Sequence, residues 1–125
     1  MFSHIMVGSN DIDRSKTFYD ATFAALGGPE AIVDAKGRLI YLHGGGLFMV
    51  TKPIDGEPAC HANGGTIGFT VASPEQAEAW HAAGVANGGM AIEDPPGWRE
   101  GGAEKYFLAY LRDPDGNKLC ATLRT

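Results

Sequence analysis

Positive charge is scarce in this chain: Lys and Arg together number 10 against 15 Asp and Glu, a formal net charge of −5 and a pI near 5.2. Such a balance argues against a nucleic-acid partner, which needs a basic patch, and against docking on an anionic membrane. Cysteine is nearly absent. Cys60 and Cys120 are the only two, with no C-x-x-C pair, so no disulfide framework is expected and a reducing cytoplasm is the expected location. No apolar run is long enough to span a bilayer. The opening "MFSHIMVGSNDIDRSK" meets acid at Asp11 with no basic segment ahead of an apolar one, so no secretory signal is expected. Glycine, by contrast, is plentiful at 18 of 125 residues. Many turns and closely packed strands follow from that, in a chain long enough to bury one core.

The chain reads as one unit used twice. Shifted along itself, "HIMVGSNDIDRSKTFYDATFAALGG" from His4 falls on "TIGFTVASPEQAEAWHAAGVANGGM" from Thr66. Ile5 and Val7 share one strand face, with His4 and Met6 on the other; Ile67, Phe69 and Val71 share a face opposite Thr66, Gly68 and Thr70. Asp11 and Ser73 are N-cap residues, and Ser73-Pro74-Glu75-Gln76 has the form of a capping box with Pro at the first helical position. The first helix is expected to bury Ile12, Ser15, Phe18, Tyr19, Phe23 and Leu26, the second Ala77, Trp80 and Gly84. Both stop at glycine pairs. Three strands should follow each helix, over 30–35, 38–43 and 47–52, and over 90–94, 105–112 and 117–123. Asp34 to Gly37 and Asp113 to Gly116 read as hairpin turns. "TKPIDGEPACHANGG" is expected to be a linker, and "DPPGWREGGAE" a long loop. The expectation is a single α+β domain of two βαβββ modules, about 1–55 and 62–125, whose curved sheet forms a cup with helices outside.

The stretches "HIMVGSNDIDRSKTFYDATFAALG" and "YFLAYLRDPDGNKLCATL" make the chain resemble the glyoxalase / bleomycin-resistance / extradiol-dioxygenase group, the vicinal oxygen chelate superfamily. The DPDGN turn is the most specific part. The resemblance implies a divalent metal in the cup, held by side chains on the first, fourth, fifth and last strands, acting as a Lewis acid on two neighbouring substrate oxygens. It places His4 at the first position, Phe48 at the second, Thr66 at the third and Cys120 at the last, where a Glu is the family's usual residue. One of four expected ligands remains, and catalytic sites hold about three.

Three function classes follow. The leading one is a binding protein for a small apolar or aromatic molecule, with His4, Phe48, Thr66, Tyr106, Tyr110 and Cys120 lining the cup and no cofactor. Another is a metal-dependent lyase, isomerase or dioxygenase with rearranged ligands, His4 and Cys120 holding Zn, Ni, Mn or Fe with help from His61 or Glu57. A third is an interaction module with no small-molecule role. Cys120 reads either as a small packing residue or as a thiolate, which needs a lowered pKa. Cys60-His61 matches no common zinc spacing. His43 before Gly44-Gly45-Gly46 reads as a hairpin, since no GK[ST] follows. Tyr106 and Tyr110 alternate with Phe107, Ala109 and Leu111, so the tyrosines should face the cup. Trp98 and Arg99 are either a rim over it or part of a solvent loop, and His81, on the second helix, reads as a boundary residue and not part of a site. The resemblance further implies a homodimer.

Overall fold

The computed structural model describes residues 1–125. The first module runs β1 (Ile5–Gly8), α1 (Ile12–Ala25), β2 (Ile32–Val33), β3 (Leu39–His43) and β4 (Gly46–Thr51). The second runs β5 (Ile67–Thr70), α2 (Pro74–Ala86), β6 (Met90–Ala91), β7 (Gly97–Gly101), β8 (Glu104–Arg112) and β9 (Lys118–Arg124). The first sheet has the order β1-β4-β3-β2 and the second β5-β9-β8-β6, with β7 also pairing β8. Within each sheet the opening strand lies parallel to the last. No ladder joins the two sheets, so β1 and β5 are both edge strands.

The helices begin where their caps predict. Asp11 accepts a hydrogen bond from the Arg14 amide and Ser73 accepts one from the Gln76 amide, each 3.1 Å. Gln76 reaches back to the amide of Ala72, one residue before the cap, at 2.7 Å. Each helix covers one face of its sheet, and the two helices touch. Phe18, Tyr19 and Phe23 from α1 join Trp80 and Ala77 from α2 in one core with Phe48, Val50, Leu111 and Leu119. Gly84 makes the close helix contact: a Cβ there would stand 2.3 Å from Leu111 Cδ1 and 3.2 Å from Phe18 Cε2. Phe69 of β5 closes the core between modules, its ring 5.5 Å from both Phe23 and Phe48.

Two elements differ from expectation. "DPPGWREGGAE" is no long loop: Gly97–Gly101 is a strand that pairs with β8 along Trp98↔Phe107 and Arg99↔Tyr106. Its glycines hid it, and one of them is required by contact, because a Cβ on Gly101 would stand 2.4 Å from the Tyr106 ring. The strands expected at 30–35 and 90–94 shrink to two residues each.

The DPDGN turn is a structural clamp. Asp113 is buried, and its Oδ1 accepts the amides of Asp115 and Asn117, both 2.9 Å. Its Oδ2 accepts the Tyr19 hydroxyl at 2.5 Å and Asn117 Nδ2 at 2.8 Å. Asp115 continues the clamp onto the start of α1, accepting from the Asn10 amide at 2.9 Å, Arg14 Nη2 at 3.0 Å and Ser15 Oγ at 3.2 Å. Burial still holds the Asp113 carboxyl above its ordinary range despite its donors, and burial also drives the Tyr19 phenol well upward.

Tyr19→Phe removes one donor from a buried carboxylate, so chemical denaturation should show a loss of about 1.5–3 kcal/mol, the scale of a hydrogen bond to a charged group. Asp20 behaves in the opposite sense. Its own burial pushes its pKa up, but hydrogen bonds from Lys16, the Ala31 amide and Tyr41 together outweigh that and hold it below 3.8. A carboxylate lowered on folding contributes stability above its unfolded pKa and loses it as pH falls through the folded value. The melting-temperature gap between the wild type and Asp20→Asn should therefore be widest near neutrality and shrink below about pH 4, the region of the ordinary carboxylate pKa.

Candidate functional site

Alternation on the strands sorts the side chains into two sets. On β8, Phe107, Ala109 and Leu111 are buried against the helices, while Tyr106 and Tyr110 point to the helix-free face, as their spacing predicts. Tyr110 pairs with Cys120 and Gly68 also pairs with Cys120, so these three cross one face side by side. On β1 and β4 the pairs are Ile5↔Phe48 and Met6↔Met49.

That register corrects the expected site at one position. Phe48 is not on the face that carries Cys120. It is buried on the helix side, its ring 5.0 Å from Tyr19 and 5.8 Å from Phe23. Met49, paired with Met6 as Cys120 is with Gly68, is the counterpart of Cys120. A one-residue slip in a strand moves a side chain to the opposite face. The two parallel stretches, "HGGGLFMV" and "PDGNKLCAT", align Met49 with Cys120 when matched glycine to glycine at Gly45 and Gly116.

The structure distributes the remaining site residues as follows. Cys120 is buried, its Sγ 3.2 Å from Thr122 Oγ1 and 3.5 Å from the Ala121 carbonyl. The Tyr110 phenol is raised first by burial and then by the neighbouring Cys120. Lys118 lies over the Tyr110 ring with Nζ 5.0 Å from its centroid. Tyr110, Cys120, Thr122 and Lys118 form one connected group. Tyr106 sits farther along the same face, its hydroxyl donating to Glu104 at 2.8 Å. His4 is exposed just before β1, with Nδ1 2.8 Å from Ser3 Oγ. Thr66 is exposed just before β5, sharing a depression of about 290 Å³ with Met6 and Cys60. His81, on α2, has its pKa lowered by burial, partly offset by a hydrogen bond to the Tyr110 carbonyl. Trp98 is half-exposed on β7, its ring edge-on to Phe107 at 5.4 Å, so it is part of the sheet and not a free loop.

The four relevant positions carry an imidazole (His4), a thioether (Met49), a hydroxyl (Thr66) and a thiol (Cys120), with no carboxylate. No three His, Cys, Asp or Glu side chains of the chain converge on one point, and three is about what a catalytic metal requires.

With this geometry in hand, comparison places the chain. A profile of the Glyoxalase/Bleomycin resistance protein/Dioxygenase superfamily matches residues 1–121. The chain belongs to this superfamily. It is 54% identical to a glyoxalase/bleomycin resistance protein from Albidiferax ferrireducens T118, over 98% of each chain, with a TM-score of 0.94. A glyoxalase-related enzyme from Fulvimarina pelagi shares the fold at TM-score 0.73 and 17% identity, over 98% of this chain and 86% of that one. Lactoylglutathione lyase from Agrobacterium tumefaciens does so at 0.67 and 18%, over 98% and 92%. No curated protein matches the chain. The DPDGN signature that carried the resemblance thus marks family membership while working as an intramolecular clamp.

Cys60 is exposed and Cys120 buried, and thiol reactivity follows access as well as thiolate character. Titration of the native protein with Ellman's reagent should label one thiol quickly, with the second reacting only after denaturation. Fast labelling of both would make Cys120 an accessible nucleophile.

Proposed function

We propose that the protein binds a small apolar or aromatic molecule on the helix-free faces of its sheets, without a metal ion. The observation that supports this most directly is the neutral character of the positions that the family devotes to metal: Met49, Thr66 and Cys120 offer soft or weakly polar surface where chelation calls for charge. His4, Thr66, Tyr106, Tyr110 and Cys120 line this site, with Met49 in place of Phe48. Tyr110 and Thr122 supply hydroxyls at the margin of an otherwise apolar surface, the usual balance in ligand sites.

The same faces point to a homodimer as the working unit. Met6, Leu42 and Ile32 are 39%, 55% and 58% exposed, and the β1 and β5 edges are both unpaired. A second copy would cover that apolar surface and enclose a ligand that one open sheet leaves in water. Light scattering should then give twice the 13.2 kDa chain mass. A cytoplasmic location fits the two free thiols; no helix is long and apolar enough to cross a membrane.

Thermal-shift screening of an aromatic library tests the binding role. Active compounds should raise the melting temperature equally with and without EDTA, and the rise should shrink in Tyr110→Ala. The reading is overturned if protein grown with Mn, Fe, Ni and Zn carries near-stoichiometric metal that His4→Ala loses. In that case His4 and Cys120 are ligands, with His61 or Glu57, and a lyase, isomerase or dioxygenase role takes precedence.

A further inference from the structure

A cavity lies at the seam between the modules. It has a volume of about 510 Å³ and is bounded by the end of α1, the β3–β4 turn and the edge strand β5. Its walls are aromatic: Phe23, Tyr41, Phe48 and Phe69. Phe23 stacks on Tyr41 at 4.5 Å and 12°, while Phe69 stands edge-on to Phe23 and Phe48, at 85° and 70°. Phe23, Tyr41 and Phe48 are each no more than 5% exposed, so these rings are fixed before anything binds. The Tyr41 hydroxyl is engaged by Asp20 at 2.7 Å. The polar side chains at the rim are His43 and Thr70. No Lys, Arg, Asp or Glu is among the 13 lining residues.

The cavity has a sequence cause. By strand register, His43-Gly44-Gly45-Gly46 in the first module stands where the second has Pro114-Asp115-Gly116-Asn117. Asp115 fills its end of the molecule by docking on the start of α1. Gly44, its counterpart, has no side chain to do so, and both Gly44 and Gly46 border the opening. Gly28, after α1, lies against the imidazole: a Cβ there would be 3.3 Å from His43 Nδ1.

We propose that this seam cavity is a binding site for a neutral planar aromatic molecule of one or two rings bearing one hydrogen-bonding substituent. The rings would lie among Phe23, Phe48 and Phe69, and the substituent would meet His43 at the rim. The volume falls in the range of small-ligand sites, about 300–1,000 Å³. An all-neutral wall disfavours an ionised ligand, whose desolvation nothing there would offset. The site includes neither Tyr110 nor Cys120, although Gly68, which pairs with Cys120, is part of its wall.

The test is an NMR titration of the full chain with 2-naphthol. The expected result is intermolecular NOEs from naphthol protons to Phe23, Phe69 and Leu47, with chemical-shift changes at His43. Leu47 is a half-buried lining residue, and Leu47→Trp should weaken binding at least tenfold by filling the space. His43→Ala, a change at an exposed residue, should weaken it several-fold with the fold intact. Tyr110→Ala should leave the affinity unchanged. The proposal is overturned if the NOEs fall on Tyr110, Cys120 or Thr122, or if millimolar probe gives none with the folded protein. Because Tyr110→Ala affects only the site on the helix-free faces, failure of one site is distinguishable from failure of the other.

Discussion

The Asp113 carboxylate organises this molecule. Four donors surround it: the Tyr19 hydroxyl, Asn117 Nδ2, and the amides of Asp115 and Asn117. Three of the four belong to its own turn and one to the helix of the opposite module. A carboxylate taken out of water costs several kcal/mol unless its lone pairs are satisfied, so the turn and the helix must be in place together. Asp115 then fixes the start of α1, and Asn117 Nδ2 reaches the Gly8 carbonyl at 3.4 Å. Two sheets that share no backbone ladder are thereby held in one arrangement by a five-residue turn and the apolar core beneath it.

The clamp acts at one end only, and this asymmetry produces the seam cavity. Two modules with the same strand order have corresponding turns, but a glycine run cannot repeat what Asp113 and Asp115 do. Where the carboxylates draw a helix terminus against a turn, Gly44 and Gly45 leave a gap walled by rings already packed for other reasons. Phe69 serves both purposes, since it seals the core against Phe23 and Phe48 and forms one side of the opening.

Much of the fold was legible in the sequence, because each signal had a local physical cause. Asp11 and Ser73 cap helices with their own side chains, and the buried stripes of α1 and α2 follow the 3.6-residue period. The period-2 pattern of β8 separated Tyr106 and Tyr110 from the core set. Other features depended on partners that local pattern does not contain. Gly97–Gly101 has little strand propensity and is a strand because β8 offers it a ladder. Phe48 was misplaced by a one-residue slip in matching "HGGGLFMV" to "PDGNKLCAT"; β4 is apolar on both faces, so no alternation in "LFMV" exposes the slip, and the pairing with Ile5 does. The seam cavity was not legible from the glycine run after His43 alone, since its walls come from β1, α1, β3, β4 and β5.

Cys120 can now be understood by its neighbours. At its position a carboxylate would stand beside Tyr110 and Thr122, with Gly68 on the parallel strand. An ionised group there would be desolvated, and burial raises a buried carboxyl's pKa even in the well-satisfied case of Asp113. A thiol occupies the same place while needing little, and it finds the Thr122 hydroxyl and the Ala121 carbonyl within reach. With Gly68 opposite it on β5 and Tyr110 opposite it on β8, a neutral residue at position 120 is consistent with burial.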